Sequence, residues 1–283
     1  MGRHRHFARI VLPLRLAASI RGAGLSPGPF LPSRPRPYAR LEAAPGRDRT
    51  IERIGALIMV AKPIITADAA VDLIREGAVV MLGGFMGCGS PAGLLDALER
   101  KGTKNLTLVC NDTAMHNLKS GEMTFVARLV AKKQFKKMIV THIGLNGETQ
   151  RQMNAGETEV QLVPQGTLAE IIRAAGAGLG GVLTPTGVGT EVEEGKKVVE
   201  VDGRKYLLEK ALRGDVALIR AKKADKAGNL TYDKTGRNFN PLMASACETV
   251  IVEADEIVEI GELDPEVVVT PSVFVTHLVR ARQ

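Results

Sequence analysis

Three short stretches hold the residue types best suited to chemistry. The first is Gly83-Gly84-Phe85-Met86-Gly87-Cys88-Gly89, with four glycines in seven positions, between the apolar run Val79–Leu82 and Ser90-Pro91. The second is Asn111-Asp112-Thr113, which follows the apolar run Leu106–Cys110. The third is Gln165 in Pro164-Gln165-Gly166-Thr167, which follows Val160–Val163. Glycine turns present backbone N–H groups, and the two amide side chains add further donors. Such donors stabilise charge on an oxygen, but a covalent step still needs an attacking group. None is evident. The chain has no P-loop, nucleophile elbow or adjacent Ser/His pair. His116, His142 and His277 are far apart and lack metal-ligand spacing. Cys88, Cys110 and Cys247 are too few and too scattered for a disulfide framework or a zinc site, which fits buried packing in a reducing compartment. No metal is expected.

Each of these stretches lies where a strand is expected to stop. Val79–Leu82 suits a buried strand, and Ser90-Pro91 suits the N-cap and first residue of a helix carrying Leu94, Leu95 and Leu98. That helix should stop at Lys101-Gly102. Its dipole would add positive charge to the glycine turn, which can then hold an anion or a polarised carbonyl oxygen. The same glycines also suit a tight turn with no ligand, and Asn111 and Asp112 suit a plain capped turn. Met138–Thr141 reads as a third strand and Val160–Val163 as a fourth, and Thr167-Leu168-Ala169-Glu170 matches a capping box at the start of a helix. An earlier amphipathic helix is expected over Thr66–Ile74. Strand, polar turn and helix thus recur, which predicts an α/β fold: an open, mostly parallel sheet with covering helices and ligands at the carboxyl edge of its strands.

The second half is less regular. Gly176–Thr190 is too rich in glycine for an ordinary helix or strand and reads as a long ordered loop. Lys197–Val201 and Lys205–Leu208, joined through Asp202-Gly203, predict a hairpin. Asp215–Ile219, Asn229–Tyr232, Thr249–Val252 and Val267–Val269 are expected as strands, with a helix from Asn238–Pro241 through Cys247 and a basic tail from Thr276 to Gln283.

The net charge of +7 is unevenly spread. Residues 1–58 hold 11 Arg, three acids and seven of the 14 prolines, so the basicity belongs to this leader. With few aromatics and no basic stripe in the remainder, nucleic-acid binding has little support. No run of about 18 apolar residues predicts a membrane span. The leader fits an Arg-rich transit peptide, a secretory signal interrupted by Arg15, or an extension upstream of a true start at Met59. The last is favoured, since Met59 lies just before the first ordered pattern. Residues 59–283 then form the functional domain, expected in the cytoplasm, or in an organellar matrix if residues 1–58 are a transit peptide.

Taken together, the motifs carry a resemblance. Gly77-x-x-Val80-Met81-Leu82-Gly83-Gly84-Phe85-x-x-x-Gly89-x-Pro91 is similar to the first signature of the family I CoA-transferases, with Glu76 standing where that signature prefers Asp or Asn. Asn111-Asp112-Thr113-Ala114, Pro164-Gln165-Gly166-Thr167-Leu168, Gly176–Thr190 and Arg237-Asn238-Phe239-Asn240-Pro241 resemble further segments of the family's α subunit, in the same order. The resemblance runs from about Thr66 to about Leu278 and is strongest to the acetate/butyrate–acetoacetate type. It implies a fold shared with ribose-5-phosphate isomerase, and a ping-pong transfer of CoA between a short-chain acyl-CoA and a carboxylic acid through a glutamyl-CoA thioester. It places the nucleophilic glutamate in a β subunit, with an α2β2 assembly. It implies that Gly83, Gly84, Phe85, Met86, Gly87, Cys88 and Gly89 line the CoA site and that Asn111 and Gln165 face the reacting acyl group; Gln165 is then expected to donate to the oxyanion and Asn111 to orient the carboxylate or the glutamate. The CoA thioester is substrate, and no tightly bound cofactor is implied. Transfer involving 3-oxoadipate or succinyl-CoA is the alternative within the family. A sugar-phosphate isomerase or a non-catalytic binding module on the same fold are the readings outside it.

Overall fold

A computed structural model describes residues 60–282. The expectations for residues 1–58, and for Met59 as the start, lie outside the described residues. The elements run α1 (Ala67–Asp72), β1 (Val79–Leu82), α2 (Ala92–Lys101), β2 (Leu106–Val109), α3 (Ala127–Ala131), β3 (Phe135–Val140), α4 (Gly147–Asn154), β4 (Glu159–Leu162), α5 (Gln165–Gly176) and β5 (Gly181–Thr184). They continue with β6 (Lys197–Val201), β7 (Arg204–Lys210), β8 (Gly214–Asp225), β9 (Leu230–Thr231), α6 (Asn240–Ser245), β10 (Cys247–Val258) and β11 (His277–Arg280).

The main sheet has the order β11-β10-β8-β1-β2-β3-β4, every neighbour parallel, with short β9 antiparallel to β8. Strand alternation sends Val80, Leu82 and Leu108 to one face, where they pack with Val71 of α1, Ile74 just beyond it, Leu94 and Leu98 of α2, and Leu129 of α3. It sends Met81, Val109 and Ile139 to the other face, where they meet Leu168, Ile172, Met243 and Ala244 from α5 and α6. Both faces of the central strands are therefore buried, which is why β1 is a continuous apolar run and β2 is interrupted only by the buried Thr107. Because the strands are parallel, their carboxyl ends share one edge. The residues just beyond β1, β2, β3 and β4 all come to that edge.

A smaller antiparallel sheet, β5-β7-β6, holds the predicted hairpin. Asp202 and Gly203 both have positive φ, at 50° and 74°, as a type I′ turn requires.

Several expectations are corrected. The helix read over Thr66–Ile74 spans Ala67–Asp72, with the Thr66 hydroxyl accepting the Ala69 N–H. Ser90 does not cap α2: Pro91 is the N-cap residue, and the Ser90 hydroxyl points back to the Gly83 carbonyl. The Leu94 N–H donates instead to Glu253 Oε2 of β10 at 2.8 Å. Thr167 does not open a helix, because α5 already begins at Gln165, and its buried hydroxyl has no hydrogen-bond partner. Gly181–Thr184, read as loop, is strand β5, since its ladder to β7 supplies the backbone partners that its glycine-rich sequence does not advertise. Val267–Val269 is a 3-10 turn and loop, and the last strand lies in the basic tail, where Leu278 and Val279 are buried.

Candidate functional site

The three donor-bearing stretches converge at the carboxyl edge. Asn111 sits one residue beyond Cys110 at the end of β2 and is 2% exposed. Its backbone still follows the sheet, with the Thr141 N–H donating to its carbonyl at 2.8 Å. Gln165 opens α5 just after β4, and its Nε2 donates to Asn111 Oδ1 at 2.6 Å. Asn111 Nδ2 donates to Asp112 Oδ2 at 2.8 Å. Asp112 Oδ2 also accepts the Met86 N–H at 2.9 Å, while its Oδ1 accepts the Ala114 N–H at 2.9 Å. One line of hydrogen bonds thus runs from the glycine loop through Asp112 and Asn111 to Gln165. Each amide NH2 spends one hydrogen in this line and keeps a second.

The glycine loop is held on its other side by two asparagines. Asn238 Oδ1 accepts the Gly84 N–H at 3.1 Å, and Asn238 Nδ2 donates to the Cys88 carbonyl at 2.9 Å. Asn240, fully buried, donates to the Gly89 carbonyl at 3.0 Å and accepts the Arg220 N–H at 3.1 Å. Glycine is required here for two reasons. A Cβ on Gly83 would run into the Asn240 amide, and Gly84 has φ +121°, a conformation L side chains rarely adopt.

These bonds narrow the expected row of open donors. The N–H groups of Gly83, Gly84, Phe85, Met86 and Cys88 are all taken within the protein. Among the described residues, those of Gly87 and Gly89 have no acceptor. Glu253 likewise occupies the helix N-terminus that could have received an anion. Burial raises the carboxyl pKa of Glu253, and the Leu94 and Gly93 N–H groups oppose that rise. Phe85 and Met86 are 44% and 37% exposed, which gives the loop an apolar outer surface.

Beside Cys88 and Gly89 lies a cavity of about 190 Å³ lined by Arg220, Lys222, Tyr232 and Asp255. Asp255 pairs with Arg220 at 2.8 Å and with Lys222 at 3.5 Å. Burial pushes the Tyr232 hydroxyl up to about 12, and it shares a hydrogen bond with Thr270 at 2.7 Å. The Cys110 thiol is buried, donates to the Asp112 carbonyl at 2.9 Å, and has its pKa raised by that burial. Of the histidines, His142 follows Thr141 at the same edge, its backbone in a parallel bridge with that of Asp112, whereas His277 lies in β11. Among the described residues, no group of three His, Cys, Asp or Glu side chains is placed to hold a metal.

Sequence reasoning picked out Asn111, Gln165 and the loop. It gave no role to Asp112, Asn238, Asn240 or Glu253. The first three stand inside the quoted motifs, so the signal was present. Glu253 stands in an ordinary strand, and nothing local marks it.

The fold and site define an α/β protein with a parallel sheet that gathers amide donors and a glycine loop at its carboxyl edge. Comparison with known proteins gives the class its name. The model of the coenzyme A transferase family matches residues 64–281, and the chain belongs to that family. It is 49% identical over 220 residues to the acetate CoA-transferase subunit alpha of Escherichia coli K12, covering 78% of this chain and 97% of that one. It is 46% identical over 209 residues to the acetoacetyl-CoA:acetate/butyrate CoA transferase alpha subunit of Clostridium acetobutylicum, covering 74% and 93%. The fold is similar to that of an acyl-CoA transferase of E. coli O157:H7 solved as a thioester complex with CoA, with a TM-score of 0.70 and 23% identity over 78% of this chain. This chain spans about half of that protein, 47% of its length. Glutaconate coenzyme A-transferase from Acidaminococcus fermentans also shares the fold, with a TM-score of 0.66 and 19% identity, covering 77% of this chain and 75% of that one.

Proposed function

We propose that this chain is the α subunit of a heteromeric CoA-transferase that moves CoA between a short-chain acyl-CoA and a carboxylic acid. Acetoacetyl-CoA, acetyl-CoA and butyryl-CoA are the donors this reading favours, and CoA enters as a thioester substrate. The observation that carries it is the Asn111–Gln165 amide pair, 2.6 Å apart at the sheet edge, with no free carboxylate in the hydrogen-bonded line. Asp112, the one acid of that line, is held by three N–H donors and is not available to attack.

The nucleophile, as the family resemblance implies, is a glutamate of the β subunit. Its attack on the thioester carbonyl releases CoA thiolate and leaves a mixed anhydride. Return of the thiolate to the glutamyl carbonyl releases the acid and leaves the glutamyl-CoA thioester, and a second acid reverses both steps. Every step passes through a tetrahedral oxyanion. The spare hydrogen of Gln165 Nε2 donates to it, the spare hydrogen of Asn111 Nδ2 orients the carboxylate, and residues Gly83–Gly89 line the CoA site. The assembly is α2β2, and the domain is residues 59–283, in the cytoplasm, with residues 1–58 a leader or an upstream extension. Peptides from upstream of Met59 in the native protein would refute the upstream-extension reading.

The test is transfer from acetoacetyl-CoA to acetate by this chain co-purified with a β subunit, with acetyl-CoA followed by chromatography. Acetyl-CoA formation supports the reading. Failure with acetate and butyrate but turnover with succinate or 3-oxoadipate would move the substrate to the alternative, which relatives named succinyl-CoA:3-ketoacid and 3-oxoadipate CoA-transferase subunits favour. No transfer to any acid would contradict it.

A further inference from the structure

The geometry points to Asp112 as the positioning residue that couples the loop on the CoA side to the amides on the acyl side, an inference that rests on the functional reading above. Asp112 is 7% exposed and meets no cation among the described ion pairs. Three donors reach it instead. Met86 N–H and Asn111 Nδ2 share one oxygen, and Ala114 N–H takes the other. A carboxylate can only accept, so the group Asn111 turns toward it must be its NH2. Asn111 Oδ1 then faces Gln165, and the group Gln165 turns toward that oxygen must likewise be NH2, as the 2.6 Å contact has it. Asp112 thus sets the orientation of both amides, and hence which of their atoms face the reacting group.

The same oxygen holds Met86, whose φ of 49° places it in the left-handed region at the crest of the loop. Displacing the loop pulls on the acceptor that orients Asn111. Seating of CoA against residues Gly83–Gly89 and orientation of the oxyanion donors are therefore one mechanical unit. A reversed Asn111 amide would present an oxygen to the carboxylate it orients in place of an N–H, and would turn the Gln165 amide with it.

The test compares D112A and D112N in the complex with the β subunit. Asn at this position keeps an oxygen where Met86 N–H and Asn111 Nδ2 converge and gives up only the bond from Ala114. D112N should hold kcat within about tenfold of the wild type. D112A removes the acceptor, and kcat should fall about 10²-fold with the KM for acyl-CoA changed less, as expected when reacting groups are misplaced by about an ångström. Equal kcat in D112A and wild type overturns the inference. An equal loss in both variants also overturns it, since that is what a merely structural carboxylate would give. If D112A does not assemble, D112L, closer to Asp in size, removes the same acceptors. Hydrogen exchange over Gly83–Ser90, read by mass spectrometry on the same complexes, needs no turnover. Faster exchange in D112A than in D112N is expected, and identical exchange in all three proteins overturns the inference. A wild-type complex that transfers nothing refutes the functional reading separately, with the exchange measurement still deciding the role of Asp112.

Discussion

At the scale of single residues, the site consists of donors whose orientation is set by their neighbours. Gln165 donates to Asn111 and Asn111 to Asp112, so neither amide rotates freely. Replacing Gln165 with Ala should lower kcat by about 10²–10³, the usual cost of one oxyanion donor. Steady-state kinetics of the complex checks this, and unchanged turnover would remove Gln165 from the site. Gly83 makes a different prediction. Its neighbour Asn240 is fully buried and fixed by bonds to Gly89, Gly236 and Arg220, so the amide in the way of a Cβ cannot swing aside cheaply. G83A should destabilise the chain by about 1–3 kcal/mol through overpacking, read as a lower midpoint in denaturant. The positions of Asn111 and Gln165 were legible because each is an amide just past a strand pattern, Leu106–Cys110 and Val160–Val163. The role of Asp112 was not, because a carboxylate after a strand reads equally well as a turn cap.

At the scale of elements, the least local feature is the start of α2. The expected Ser90 cap is replaced by Glu253, 159 residues away in sequence. A side chain contributed by a strand two positions across the sheet leaves no trace in a local pattern, so the helix was readable and its cap was not. The same holds for β11, whose two buried residues are flanked by His277 and Arg280, and for β5, whose strand character comes from pairing with β7. The doubly buried strands β1 and β2, by contrast, needed no partner to be recognised. Glu253 also makes stability depend on pH. Burial raises its folded pKa above the unfolded value, so the neutral form is favoured in the native state. Its contribution is fully present below the unfolded carboxyl pKa and is lost as pH rises through the folded one. E253Q keeps an oxygen for the Leu94 N–H and cannot ionise. The stability of E253Q relative to wild type should therefore increase as pH rises from about 4 toward neutrality. Thermal melts across that range check it, and a difference independent of pH would contradict the assignment.

At the scale of the whole molecule, the parallel sheet gathers the ends of β1, β2, β3 and β4 at one edge, and that edge holds the paired amides of Asn111 and Gln165. The match to the family model runs over residues 64–281, so it takes in the whole of this edge. The fold class was legible from the recurrence of strand, polar turn and helix. The hairpin of the small sheet was legible from Asp202-Gly203, whereas its third strand β5 and the cavity beside Cys88 depend on contacts between distant segments and were not. The claim that the nucleophile comes from a second subunit is tested most directly by locating the covalent intermediate. The complex is incubated with acetoacetyl-CoA in the absence of a second acid, reduced with borohydride, and each chain is weighed by mass spectrometry. Reduction of the glutamyl thioester should change the mass of the β subunit and leave this chain unchanged. A mass change in this chain, mapped to one of its own carboxylates, would contradict the account.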